Sequence, residues 1–253
     1  MFKSLFSKRL QWHIVPEYQG TKVAEQLKDF NEVYNFKGQY IEGKVFKITL
    51  DNKNFYLKKY ARFKRVVPRF ISFSKVKMEW KNLLWFKKIG IPAAPLVAYG
   101  EERKGIVVQR GILITEELSN CFDLVYIADN MPERLKHKKW LSQVSHQLAE
   151  ITRKLHAHHF AHNDLKWRNI MVDIKSDYPY IYLIDCPAGM KWIRPFLAYR
   201  IIKDLACLDK RAKYELSRTQ RLAFYKDYAQ CKKLNQQHKK QIRKVLQFFH
   251  ERE

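Results

Sequence analysis

Cysteine is scarce: Cys121, Cys186, Cys207 and Cys231 are the only four in 253 residues, and no C-x-x-C pair occurs. That spacing excludes a disulfide framework, offers no zinc-binding pattern, and sets the expectation of a reducing, cytosolic compartment. Long apolar runs are missing as well. None reaches the roughly 18 residues of a transmembrane candidate. Met1 to Pro16 lacks a continuous signal-peptide core because Lys3, Lys8, Arg9 and His13 interrupt it, so any membrane contact is expected to be peripheral. Acidic residues are few: 25 against 49 Lys and Arg, a formal net charge of +24. Solubility alone does not call for such an excess, which points to an anionic partner: nucleic acid, an anionic membrane surface, or an acidic or phosphorylated glycolipid. What the chain does have is apolar residues, 46% of the total, enough to fill a core in one large domain or two small lobes.

One segment names a chemistry. His162-Asn163-Asp164-Leu165-Lys166-Trp167-Arg168-Asn169 is followed, after an apolar run, by Leu183-Ile184-Asp185. Phosphoryl transfer from ATP needs a carboxylate to receive the acceptor's proton, a cation beside the moving phosphoryl group, and oxygen ligands for Mg²⁺. Asp164 supplies the base, Lys166 the cation, and Asn169 with Asp185 the metal ligands. The spacing H-x-D-L-K-x-x-N followed by a second Asp resembles the catalytic loop and metal-binding Asp of protein-kinase-like enzymes. Ile170–Val172 and Tyr180–Ile184 are expected to form a hairpin around Lys175–Pro179, with Asn169 at its start and Asp185 at its end.

The upstream half fits the same pattern. From Tyr34 to Tyr60 the chain reads as strands, with Phe46, Ile48 and Leu50 alternating, a turn at Asp51-Asn52, and a second strand from Phe55 to Tyr60. Gly38 and Gly43 bracket the place of a phosphate-covering loop, where a plain β-turn is equally consistent. Val76, Glu79, Trp80, Leu83 and Leu84 share one helical face, which leaves the Glu79 carboxylate among apolar neighbours and in need of a cation. Lys58 stands where the ATP-orienting lysine of V-A-I-K lies, and it is expected to pair with Glu79 and contact the α- and β-phosphates. Lys59 takes that role if the strand register is shifted by one. Gly90-Ile91-Pro92 stops the helix. Strands at Gly105–Val108 and Gly111–Thr115 lead into Glu116-Glu117-Leu118, where Glu117 and Leu118 are expected to act as the adenine-binding hinge.

Leu141, Val144, Leu148, Ile151 and Leu155 mark a long amphipathic helix delivering the chain to the catalytic loop. His159 replaces the glycine usual in L-H-x-x-G-x-x-H, and histidine is among the residues that reach positive φ as a helix terminator. The cluster His156, His158, His159, His162 lacks helical ligand spacing, which disfavours a metal site there. Arg200 and Asp204 lie four apart in a helical stretch, and Tyr214 to Arg252 reads as basic and mostly helical. At the other end, Phe2, Leu5, Phe6 and Leu10 recur at helical spacing, expected as an N-terminal helix packed on its own domain in preference to a membrane-inserted one.

The A-P-E ending of protein kinases is absent, and Asp185-Cys186-Pro187-Ala188-Gly189 stands in place of D-F-G, with a proline that disfavours a flipping switch. Together with Phe55-Tyr56-Leu57-Lys58, Ala98-Tyr99-Gly100, Lys203-Asp204-Leu205-Ala206, Leu216–Leu222 and Phe224-Tyr225, these segments resemble the bacterial lipopolysaccharide core heptose/Kdo kinase family over roughly Gly38 to Tyr228. The resemblance implies an α+β, bilobal protein-kinase-like fold: an N-lobe of antiparallel sheet with one main helix (1–117) and a mostly helical C-lobe (118–253). It also implies ATP and Mg²⁺ as cofactors, a heptose or Kdo hydroxyl of the inner core as acceptor, and work at the cytoplasmic face of the inner membrane. The basic, aromatic stretch Lys58–Lys81, with nine Lys or Arg against one acid, suits an anionic glycolipid or membrane surface better than nucleic acid, although a solvated face fits it too. Two rivals stand beside this reading: a small atypical protein kinase of the RNA-associated kind, and a non-catalytic basic module on a kinase fold.

Overall fold

Alternating apolar and polar residues in the N-terminal half build one antiparallel sheet, seen in a computed structural model that describes residues 7–61, 74–175 and 178–249. The chain divides into two units, 1–85 with 94–117, and 86–93 with 118–253.

The first unit holds β1 (Lys8–Ile14), α1 (Lys22–Gln26), α2 (Phe30–Asn35), β2 (Gln39–Glu42), β3 (Val45–Leu50), β4 (Lys53–Ala61), most of α3 (Lys75–Lys88), β5 (Leu96–Lys104) and β6 (Val107–Glu116). Its six strands run in the order β1-β5-β6-β4-β3-β2. The β3–β4 hairpin turns at Asp51 and Asn52, both at positive φ, as a tight two-residue turn requires. On one face Ile48, Leu50, Phe55, Leu57, Ile112 and Ile114 bury against Val23 of α1, Leu27 at its end, and Phe30 and Val33 of α2. The other face receives α3, whose Val76, Glu79, Trp80 and Leu83 are buried.

Several expectations change here. Leu10 lies on β1 and is exposed: Trp12 and Ile14, two and four residues on, pack toward the core, so the period is two and not helical. Phe2, Leu5 and Phe6 lie outside the described residues, as do Arg62–Phe73 of the basic stretch and Ser176-Asp177 of the expected turn. Tyr34 belongs to α2, and the strand that follows it, β2, begins at Gln39. Leu84 is exposed. Gly105 is a turn residue at φ +60 between β5 and β6, and the two expected short strands are one continuous β6 preceded by the unexpected β5.

The second unit contains β7 (Cys121–Asp123), α4 (Leu124–Asn130), α5 (Pro132–Lys136), α6 (Lys138–Ala157), β8 (Phe160–Ala161), β9 (Ile170–Asp173), β10 (Ile181–Leu183), β11 (Met190–Lys191), α7 (Phe196–Glu215), α8 (Arg218–Ala229) and α9 (Gln236–Gln247). Helix α6 buries Leu141, Val144, Leu148, Ile151 and Leu155, the stripe that its periodicity marks. Helices α8 and α9 each open with a capping box, Ser217 with Gln220 and Asn235 with His238. β9 pairs with β10 in the expected hairpin and with β7 on its other side. The segment after α3 belongs to this unit and not to the first: Leu183 donates its amide to Pro92 O at 3.0 Å, and Lys154 reaches Gly90 O at 3.2 Å. Among the described residues no helix is long and apolar enough to cross a membrane. None of the four cysteines is in a disulfide. Burial pushes Cys121 and Cys207 up to about 11, so neither is a thiolate nucleophile at neutral pH.

Candidate active site

In the first unit the pleat of β4 decides between two lysines. Alternate side chains of a strand point to opposite faces. Phe55, Leu57 and Lys59 face α1 and α2, where the Lys59 ammonium donates to Phe36 O at 2.8 Å and lies over the Phe46 ring. Tyr56, Lys58 and Tyr60 take the opposite face. There Lys58 Nζ stands 3.2 Å from each carboxylate oxygen of Glu79, and the Tyr60 hydroxyl donates to the same carboxylate. Glu79 is almost fully buried, so the pair and the phenol supply the partners that its charge needs.

The other named residues of this unit sit as follows. Gly43 occupies the β2–β3 turn at φ +57. Gly38 precedes β2, where a Cβ would collide with the carbonyl of Lys47. The side chain of Glu117 is committed to the sheet: its carboxylate accepts from Lys47 at 2.6 Å and Asn54 at 2.8 Å. Its amide donates to Asn54 O at 3.1 Å, so that N–H is not available to adenine. Burial alone raises the Glu117 carboxyl, and the bonds from Lys47, Asn54 and Tyr56 outweigh it and hold it below the ordinary value.

The second unit carries the loop. β8 brings the chain to His162, which is fully buried with neither ring nitrogen hydrogen-bonded. Burial lowers its pKa against the raising pull of Asp204, Asp164 and Asp185, so the ring is neutral at neutral pH. Asn163 turns the chain at φ +64. Asp164 then meets Lys166, whose Nζ lies 2.5 Å from Asp164 Oδ1. Asn169, buried at the end of the 3-10 turn Trp167–Asn169, donates its side-chain amide to Asp164 O at 2.8 Å and to Asp164 Oδ2 at 3.3 Å. Burial raises the Asp164 carboxyl, yet Lys166, Asn169 and the charge of Arg168 together hold it below the ordinary value. It is therefore ionised at neutral pH, as an acceptor of a hydroxyl proton has to be.

Asp185 follows β10 at φ +56. The amide of Ile184, the residue before it, donates to Asn169 O at 3.0 Å, which ties the Asp185 backbone to the end of the catalytic loop. The donor set suits Mg²⁺: a carboxylate at Asp185, and an amide oxygen at Asn169 left over once the nitrogen is committed to Asp164. This ion commonly binds through one or two protein oxygens and completes its shell with water and phosphate.

Sequence reasoning noted Asp204 without giving it a task. It lies fully buried on α7 and accepts the backbone N–H groups of His162 at 2.7 Å and Asn163 at 2.8 Å. His156, 3.4 Å from the same carboxylate, is tied through its other nitrogen to the Tyr228 hydroxyl at 2.9 Å. Asn163 donates its side-chain amide to Ala188 O at 2.8 Å and accepts from Arg200 at 3.4 Å, which links the loop to the Asp185–Gly189 segment. His159, at φ +58, ends α6 by the left-handed turn expected of it. The only local hint of the Asp204 clamp is an acid buried four residues after Arg200. Its partners lie some forty residues upstream.

An antiparallel sheet with its Lys–Glu pair and a helical unit with its H-N-D-L-K-W-R-N loop define a protein-kinase-like phosphotransferase. The chain belongs to the lipopolysaccharide kinase (Kdo/WaaP) family, which it matches over residues 22–228, and it is a phosphotransferase acting on sugar hydroxyls. It also resembles a solved structure described as "WaaP in complex with acyl carrier protein", with a TM-score of 0.71 and 20% identity, covering 96% of this chain and 97% of the other. At that identity the likeness speaks for the fold. No curated protein matches the chain.

Proposed function

We propose that this enzyme transfers the γ-phosphoryl group of ATP to a heptose or Kdo hydroxyl of the lipopolysaccharide inner core, at the cytoplasmic face of the inner membrane. The observation that carries the reading is the cluster of Asp164, Lys166 and Asn169, with Asp185 one residue beyond the Ile184 amide that bonds Asn169 O. Asp164 accepts the sugar hydroxyl's proton as the oxygen attacks phosphorus. Lys166, already on that carboxylate, offsets charge on the transferring group. Asn169 and Asp185 would hold Mg²⁺, which would supply Lewis-acid neutralisation of the phosphates. Lys58, oriented by Glu79, takes the α- and β-phosphates, Gly38 and Gly43 flank the strand that covers them, and the Glu117 carbonyl with the backbone of Leu118 meets the adenine. The family match sets aside the non-catalytic module and the RNA-associated protein kinase.

The test is acceptor profiling: purified protein, γ-labelled ATP and Mg²⁺ with core lipopolysaccharide stripped of phosphate, followed by phosphorus NMR of the product. Label as a phosphate ester on a heptose or Kdo hydroxyl oxygen supports the reading. Label only on protein, or none on glycolipid, defeats it.

We further propose an acyl carrier protein as a partner. The similar structure is described in complex with one, and a specific feature here favours it: an apolar cavity of about 650 Å³ in the second unit, lined by residues such as Leu148, Leu205 and Leu246 together with Lys210, Lys213 and Arg221. A volume of that order takes an elongated apolar ligand. Co-elution of the two purified proteins on gel filtration supports the partnership, and separate elution at micromolar concentration opposes it.

A further inference from the structure

One short segment beside the catalytic loop combines apolar exposure with positive charge. From Met190 to Lys203 there is no acidic residue, and Lys191, Arg194, Arg200 and Lys203 supply four cations. Within it Met190 is 38% exposed, Ile193 75%, Phe196 60% and Tyr199 44%. Single exposed apolar side chains are ordinary, but Ile193 and Phe196, the two most exposed of these four, stand three residues apart on one short segment with Arg194 between them.

The segment is held firmly at both ends. β11 pairs Met190 with Ala161 and Lys191 with Phe160, and the Trp192 amide donates to His159 O at 2.8 Å. On the other side Leu197 is buried and donates its amide to Ile193 O at 3.0 Å. The Arg200 guanidinium lies 4.2 Å from the Trp192 ring centre while it reaches Asn163. Ile193, Arg194 and Phe196 thus stand on a short, braced loop whose base strand pairs with the residue three before Asp164.

We propose that the loop Met190–Phe196 is the surface through which the enzyme docks on an anionic phospholipid bilayer. Ile193 and Phe196 enter the interface while Lys191 and Arg194 meet headgroup phosphates, the pairing of apolar tip and flanking cations that interfacial binding uses. The inference rests on the glycolipid reading above and deepens it. An inner-core sugar lies close to the headgroup layer, and a loop whose base is paired with β8, the strand that leads into the catalytic loop, brings Asp164 to that depth.

The full chain is sedimented with vesicles of phosphatidylethanolamine and phosphatidylglycerol, and with vesicles of phosphatidylcholine alone. Wild type is expected to bind the anionic vesicles selectively. The double variant Ile193→Ser/Phe196→Ser is expected to bind them about tenfold more weakly, and Arg194→Glu to lose binding as well with an unchanged melting temperature. Transfer to lipopolysaccharide embedded in those vesicles should fall in parallel, while transfer to the deacylated core oligosaccharide in solution stays at the wild-type rate. Vesicle binding equal to wild type in both variants overturns the proposal. So does an equal loss on the soluble acceptor, which assigns the loop to the sugar. A wild type that binds anionic vesicles but phosphorylates neither acceptor overturns the glycolipid reading and leaves the docking surface standing.

Discussion

The Asp204 carboxylate accepts the Asn163 backbone N–H at 2.8 Å from inside the core of the second unit. A second bond from His162 completes a two-point hold on the loop that carries Asp164. Asp204→Asn keeps the shape but turns an NH₂ group toward one of the two N–H donors. An unsatisfied buried donor costs about 1–3 kcal/mol. The variant is expected to melt several degrees lower and to lose about tenfold or more in kcat with KM for ATP little changed, because the loop's base shifts and the phosphate lysine does not. Thermal unfolding and steady-state kinetics check both parts.

In the first unit the partly exposed Lys58 ammonium meets the buried Glu79 carboxylate, so removing the lysine leaves that charge with less compensation, although the Tyr60 hydroxyl still bonds it. Lys58→Met should destabilise by about 1–2 kcal/mol, and Lys58→Met/Glu79→Leu should recover most of that loss while remaining inactive. Denaturant unfolding of the two variants beside an ATP-binding assay separates stability from nucleotide contact. Equal stability of both variants contradicts the pair's electrostatic account.

His162 is buried as the neutral ring, and its pKa lies below the ordinary 6.5. The unfolded chain therefore binds a proton that the folded chain refuses once pH falls below about 6.5, and stability declines from there toward the folded pKa. Neither ring nitrogen has a hydrogen-bond partner, so an apolar residue of similar size loses no bond. His162→Leu is expected to fold and to show a smaller fall in melting temperature than wild type between pH 7.5 and 5.5. An identical fall in both proteins contradicts this.

Glu117 serves the sheet with its side chain, bonded to Lys47 and Asn54. Glu117→Gln should cost about 1 kcal/mol of stability and leave KM for ATP within about threefold, since any adenine contact at this position comes from the backbone. Its carboxyl is held below the ordinary value, so its contribution is present above the ordinary carboxylate range and disappears as pH falls through the folded value. A large rise in KM for ATP assigns the side chain to the nucleotide instead.

The catalytic loop is legible in the sequence because its residues act at short range: Asp164, Lys166 and Asn169 touch one another within a single turn of chain. The β3–β4 hairpin is legible for a similar reason, with strict alternation closed by Asp51-Asn52. Helices α1 and α2 are too short for periodicity to register, although Thr21 accepts from Ala24 N and Asp29 from Asn31 N and Glu32 N as ordinary N-caps. β5 hides because it carries Gly100, Glu101, Glu102 and Arg103. Glu101 is buried there only because Ser74 and Arg103 satisfy it, a compensation that no local pattern displays. The Asp204 clamp is illegible on the same ground, since it joins residues about forty apart.

The central claim is that Asp164 takes the proton from a sugar hydroxyl, and the most direct test compares wild type with Asp164→Asn. Each is incubated with Mg²⁺, labelled ATP and phosphate-free core lipopolysaccharide, with folding verified by the melting temperature. The account predicts sugar phosphorylation by wild type and a loss of about a thousandfold in the variant. Transfer by Asp164→Asn at the wild-type rate contradicts it.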